Sequence, residues 1–155
     1  MGKHYSIDNL DKEILSILMK DAKIPYTEIA KRLVVSPGTI HVRMKRMERL
    51  GIVKRATLEL DPAKIGYDLI AFVGVYLIKG SVYNEVIEEI KKIPEIVEAH
   101  YTTGEYSIFV KILSKNTDHL REVVGGKLQS LKGVMRTETI ISLGESIKKQ
   151  VPIGK

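Results

Sequence analysis

Between Tyr26 and Arg55 the apolar residues fall twice on a helical period and then change pattern. Ile29, Ala30 and Leu33 share one side of a segment running from Thr27 to Leu33. Ile40, Met44, Met47 and Leu50 recur at intervals of four, three and three, which puts them on one stripe of a second helix. Ser36-Pro37 supplies its start, because a serine oxygen accepts from the first free N–H groups and proline suits the first helical position; Gly51 supplies its stop. Val34-Val35 leaves room only for a sharp corner between these helices. An earlier helix, about Asp8 to Lys20, carries Leu10, Ile14, Ile17 and Leu18 on one face and completes three helices around a small core. Ile52-Val53 then starts a strand, the wing of a winged helix-turn-helix.

Turning the second helix half a revolution brings up Gly38, Val42, Lys45, Arg46 and Arg49, flanked by Thr39 and His41, with nothing apolar larger than valine. This face is basic and slim, which suits the major groove of double-stranded DNA. Gly38, Thr39, His41 and Val42 stand near the helix start, where base edges are approached, and the capping Ser36 is counted with them among the DNA-binding residues. Lys45, Arg46 and Arg49, with Lys54 and Arg55 on the wing, are placed to neutralise phosphates. Arg43 lies towards the buried edge and is expected to brace the helix.

The charge is distributed accordingly. Residues 1–60 hold twelve Lys/Arg against seven Asp/Glu, a balance of +5, while residues 61–155 hold thirteen against twelve, a balance of +1. A positive patch confined to one module is the footprint of a polyanion-binding surface.

Asp, Pro and Gly gather in DPAKIGYD, so residues 61–68 read as a linker between a domain at 1–60 and another at 69–155. Beyond it strands alternate with helices. LIAFVGVYLI (69–78), IVEAHYTT (96–103), YSIFVKIL (106–113) and VMRTETIISL (134–143) are strands. Tyr83, Val86, Ile87 and Ile90 mark one helix; Asn116 caps another that bears Leu120, Val123, Val124, Leu128 and Leu131. The order is βαββαβ, and its halves repeat at an offset of 37: Phe72 on Phe109, Val73 on Val110, Val86 on Val123, Val97 on Val134. That is an α+β, ferredoxin-like (ACT-like) layout: a four-stranded antiparallel sheet with two helices on one face. The other face is aliphatic enough to call for a second copy of the chain. Core packing is the simpler account of Phe72 and Phe109, although an RNA-binding sheet would use two such rings for base stacking.

Gly125-Gly126 interrupts the second of these helices, at a cost of roughly 1 kcal/mol per glycine relative to alanine. Two explanations stand: close packing or a kink, and approach of a ligand or neighbouring subunit to the backbone. The turn Tyr101-Thr102-Thr103-Gly104-Glu105-Tyr106-Ser107 offers hydroxyls, amides and a permissive glycine that could hold a small zwitterion.

Some chemistry is set aside. The chain has no cysteine, hence no disulfide, thiolate zinc site or cysteine nucleophile, which suits a reducing cytoplasm. No apolar run approaches the ~20 residues of a membrane span, and MGKHYSIDNLD lacks the apolar core of a signal peptide. His4, His41, His100 and His119 show no metal-ligand spacing, and neither a phosphate loop nor a Ser-His-Asp set is identifiable, so catalysis is not expected.

Four stretches in order, IDNLD, VSPGTIHVRMKRMERLGIV with LDPAKIGYD, YTTGEYSIFVK and TETIISL, resemble the Lrp/AsnC family of amino-acid-responsive regulators. The resemblance covers roughly residues 5–145 and leans to the asparagine-responsive branch through SPGTIHVR and YTTGEYSIF. It implies a prokaryotic transcription regulator without cofactor, whose dimers assemble into octamers and bind an amino acid between dimers. Carried over by position, the effector residues are Tyr101, Thr102, Thr103, Gly104, Glu105 and Ser107, with His119, Val123, Val124, Gly125 and Gly126. Many members carry an acidic residue where Ser107 stands; a neutral hydroxyl suits L-asparagine better than lysine and leaves glutamine open. The alternative is an effector-independent architectural DNA-binding protein of the same fold.

Overall fold

The computed structural model describes residues 6–153, so His4 and the start of MGKHYSIDNLD lie outside it. Two compact units emerge. One runs up to Glu59 and takes back the segment from Lys148; the other is Leu60–Ile147. By its contacts the last segment therefore groups with the first unit. Lys148 pairs with Glu59 at 2.7 Å, and Ile153 packs against the first core.

The first unit is three helices: α1 (Asn9–Leu18), α2 (Tyr26–Leu33) and α3 (Pro37–Arg49). Asp8 caps α1 in a reciprocal box with Asp11, each side chain accepting from the other's backbone N–H, at 2.9 and 3.3 Å. Ile14, Leu15, Ile29, Ala30, Ile40, Met44 and Met47 form the core, with Leu50 half-buried. The corner between α2 and α3 is made by Val34, whose φ of 56° is left-handed and unusual for a β-branched residue.

No strand follows α3: from Ile52 to Glu59 the chain is irregular, and the expected wing strand is absent among the described residues. The N–H groups of Ile52 and Val53 are already spent on the Met47 carbonyl, at 2.9 and 3.3 Å, closing α3 over a left-handed Gly51. Their side chains pack against the helical core.

The second unit is the expected βαββαβ: β1 (Leu69–Leu77), α4 (Tyr83–Ile90), β2 (Ile96–Tyr101), β3 (Ile108–Ser114), α5 (Thr117–Arg121) and β4 (Val134–Ile141). Its sheet is antiparallel in the order β2-β3-β1-β4. Val73 pairs with Val110, so the sequence repeat lies at the centre of the sheet. Ala71, Val73, Val75, Ile108, Val110 and Ile112 pack with Val86, Ile90, Leu120, Val123 and Leu128 of the helices. By strand alternation Phe72 and Phe109 point the other way, outside that core, and stack on each other at 5.9 Å with ring planes 6° apart. The expectation of core packing for these rings is thus corrected: they belong to the uncovered sheet face.

Candidate functional site

Helix α3 is set up by its first turn. Ser36 Oγ accepts from the Thr39 N–H at 3.1 Å and lies 2.9 Å from Thr39 Oγ1, while Pro37 occupies the first helical position. With Ile40, Met44 and Met47 inward, the outward face holds Gly38, His41, Val42, Lys45 and Arg49, all exposed, and Thr39, half-buried. Val42 is 67% exposed, an apolar side chain left in water at the middle of this face. A Cβ at Gly38 would meet only Ser36 Oγ, at 3.7 Å, so the glycine keeps the surface slim without being required by packing.

The cations divide into two groups. Asp11 is fully buried and receives Arg43 Nη1 at 2.9 Å on one oxygen and Arg46 Nη1 at 3.2 Å on the other. Arg43 Nη1 also donates to Asp8 at 2.6 Å. These bonds hold the Asp8 carboxyl below its ordinary range and the Arg43 guanidinium above its own. Arg43 therefore braces α3, as expected, and Arg46, whose side chain is 45% exposed, is partly committed to the same anchor. Lys45, Arg49, Lys54 and Arg55 are exposed and have no carboxylate partner among the described residues.

In the second unit the turn after β2 is tied by backbone. The Thr102 N–H donates to the Ser107 carbonyl at 3.2 Å, the Ser107 N–H to Val75 at 3.0 Å, and the Thr102 hydroxyl to the Tyr106 carbonyl. Thr103, Gly104 and Glu105 are exposed. Tyr101 is 66% exposed, with its ring 4.2 Å from that of Tyr83. On the open sheet face Tyr76 donates to Glu138 at 3.3 Å and lies under Arg136, 3.4 Å from the ring centre. Burial pushes the Tyr76 and Tyr106 phenols up, and Glu138 adds to the shift in both.

The second effector segment is unusual. After Arg121 helix α5 widens into a π-helical stretch, Glu122–Leu128, a feature that frequently marks functional sites. Val123 is fully buried and Val124 nearly so, both within the core. Gly125 and Gly126 are exposed, and a Cβ on either would meet nothing within 4 Å. Close packing inside this chain does not account for them.

His119 is also occupied. The Lys115 N–H donates to its Nδ1 at 3.2 Å, which leaves Nε2 to donate to Glu95 at 3.3 Å. Lys127 Nζ donates to that same Glu95 oxygen at 2.6 Å, while Oε2 is buried with no partner. Burial raises the Glu95 pKa, but Lys127 and His119 outweigh it and the carboxyl falls below its ordinary value. Glu95 and Lys127 had no sequence signal: they lie 32 residues apart on no shared period. The bonds and ring contacts of the turn run to Val75, Tyr76, Tyr83 and Phe109; those of His119 and Lys127 run to Glu95, Lys115 and Asn116.

Two stretches match known domains: residues 7–54 a winged helix-turn-helix DNA-binding domain, residues 70–152 the Lrp/AsnC ligand binding domain. The chain belongs to the Lrp/AsnC family. It is a DNA-binding transcription regulator with a ligand-binding domain. Among relatives, Regulatory protein AsnC of Haemophilus influenzae is 42% identical over 147 residues, covering 95% of this chain and 98% of that one. The HTH-type transcriptional regulator FL11 of Pyrococcus furiosus is 39% identical over 137 residues, covering 88% and 89%. The structure of E. coli AsnC superposes with a TM-score of 0.90 at 39% identity, covering 95% of this chain and 99% of that one. Helices α1 to α3 fall inside the DNA-binding match, and the turn, the π-helical stretch and Glu95 all fall inside the Lrp/AsnC ligand-binding match.

Proposed function

We propose that this regulator senses L-asparagine and acts as an assembly of dimers. The carrying observation is the exposed Gly125-Gly126 backbone, bare where nothing in its own chain needs the room. Such a surface suits a small zwitterion or a neighbouring copy, and Thr102 to Ser107 of another protomer would supply the hydroxyls and amides that complete it. His119 then acts through Glu95, and Val123 and Val124 contribute backbone only.

The open sheet face, with Ile70, Phe72, Phe109, Leu113 and Ile140, closes against the same face of a second copy, and four such dimers make the octamer. On DNA, Gly38, Thr39, His41 and Val42 approach base edges, and Lys45, Arg49, Lys54 and Arg55 meet phosphates, joined by the free donors of Arg46. Asparagine changes DNA occupancy by favouring one assembly over another. Relatives at 42% and 40% identity that are named Regulatory protein AsnC support the choice of asparagine. No helix among the described residues is long and apolar enough to cross a membrane, in keeping with work on DNA in the cytoplasm.

Titration calorimetry with the twenty amino acids, joined to light scattering with and without asparagine, tests this. Heat with asparagine and a shift in mass are expected. Silence with all twenty would leave the effector-independent architectural protein.

A further inference from the structure

Gly74 sits mid-strand in β1 on the open face, opposite Phe109 of β3 and Glu138 of β4. A glycine inside a strand weakens it unless something approaches closely. Here something does: a Cβ at Gly74 would fall inside contact distance of Cγ, Cδ1 and Cε1 of the Tyr106 ring. That ring fills the slot, edge-on to Tyr76 with centroids 5.2 Å apart and tilted against Phe109 at 5.9 Å.

Tyr106 is not a strand residue but part of the candidate effector turn, and the same residue closes that turn through its backbone. Its carbonyl accepts the Thr102 hydroxyl, and the next N–H, that of Ser107, is held by Val75 beside Gly74. Between these fixed points Thr103 and Gly104 are exposed. Without the ring in its slot the segment would have to be ordered on binding, at the expense of affinity.

We propose that Tyr106, keyed into the slot left by Gly74, is the positioning residue of the effector turn, presetting Thr102–Ser107 for an amino acid and tying it to the open sheet face. This rests on the effector reading above, and the test separates the two.

In the full-length protein, Gly74→Ala, Tyr106→Ala and Tyr106→Phe are compared by amide hydrogen exchange and by calorimetry with L-asparagine. Gly74→Ala, which evicts the ring, and Tyr106→Ala, which removes it, are expected to speed exchange at Thr102 and Ser107 on the order of tenfold while the β1–β3 ladder stays protected. Both should weaken asparagine binding on the order of tenfold, and Tyr106→Phe, which keeps the ring, should behave as wild type. Unchanged exchange at Thr102 and Ser107, or equal acceleration across the whole sheet, overturns the proposal. If the wild type binds no asparagine, the effector reading fails and exchange alone judges the positioning role. If Gly74→Ala does not fold, the contrast between Tyr106→Ala and Tyr106→Phe decides.

Discussion

Asp11 and Glu95 are the same kind of residue in the same kind of place: carboxylates shut away from water that accept hydrogen bonds from the side chains of a helix proposed for function. Asp11 has both oxygens satisfied, one by Arg43 and one by Arg46 of α3. Glu95 concentrates Lys127 and His119 on one oxygen and leaves the other buried and unpartnered. The helix held by Asp11 is a regular α-helix with a hydrogen-bonded cap; the one held by Glu95 widens into a π-helix with two bare glycines. A DNA-reading helix gains from being rigid, since base contacts need fixed geometry. An effector site gains from an anchor that can be re-satisfied in a second arrangement, because a ligand shifts an equilibrium only where two states exist.

The contrast breaks most visibly at Asp11. Asp11→Asn leaves two arginines against a neutral buried amide and should cost about 3 kcal/mol of stability in chemical denaturation of the full chain. Glu95→Gln should cost less, about 1–2 kcal/mol, because one oxygen is already without a partner. Equal losses would mean that the two anchors are alike and the comparison misplaced.

Acid sharpens the same point. The Glu95 carboxyl is depressed in the folded state, so its contribution is present above its ordinary value of 4.5 and is lost as pH falls through the lower folded value. The thermal midpoint difference between wild type and Glu95→Gln should therefore be largest near neutrality and shrink below that pH. Gly125→Ala gives the smallest effect: a gain of about 0.5–1 kcal/mol from helix propensity, since the added methyl meets nothing, together with a weaker calorimetric response to asparagine.

Much of this was legible beforehand, for identifiable reasons. Ser36-Pro37 and Gly51 bound α3 by local hydrogen-bond chemistry, and the offset of 37 residues marks Val73 and Val110 as equivalent positions of the two halves, which the sheet sets side by side. The wing strand was misread because apolar Ile52 and Val53 look the same whether they pair in a sheet or close a helix; only the destination of their N–H groups distinguishes the two. Phe72 and Phe109 were misassigned for a related reason, since a strand covered on both faces and one awaiting a partner are both nearly all apolar. Among the candidate site residues, the outward face of α3 follows from spacing, whereas the exposure of Gly125 does not, since a glycine pair in a helix reads the same whether it is packed or bare. That Arg46 leans on Asp11 and that Glu95 holds Lys127 and His119 depend on contacts between distant segments, which no local period encodes.

The central claim, that the outward face of α3 carries the DNA contact, is tested most directly by the salt dependence of binding to a duplex selected from a random-sequence pool, for wild type and for Lys45→Ala/Arg49→Ala. Removing two phosphate contacts should weaken binding and flatten the slope of log affinity against log salt by about two. An unchanged slope and affinity in the double variant would contradict it.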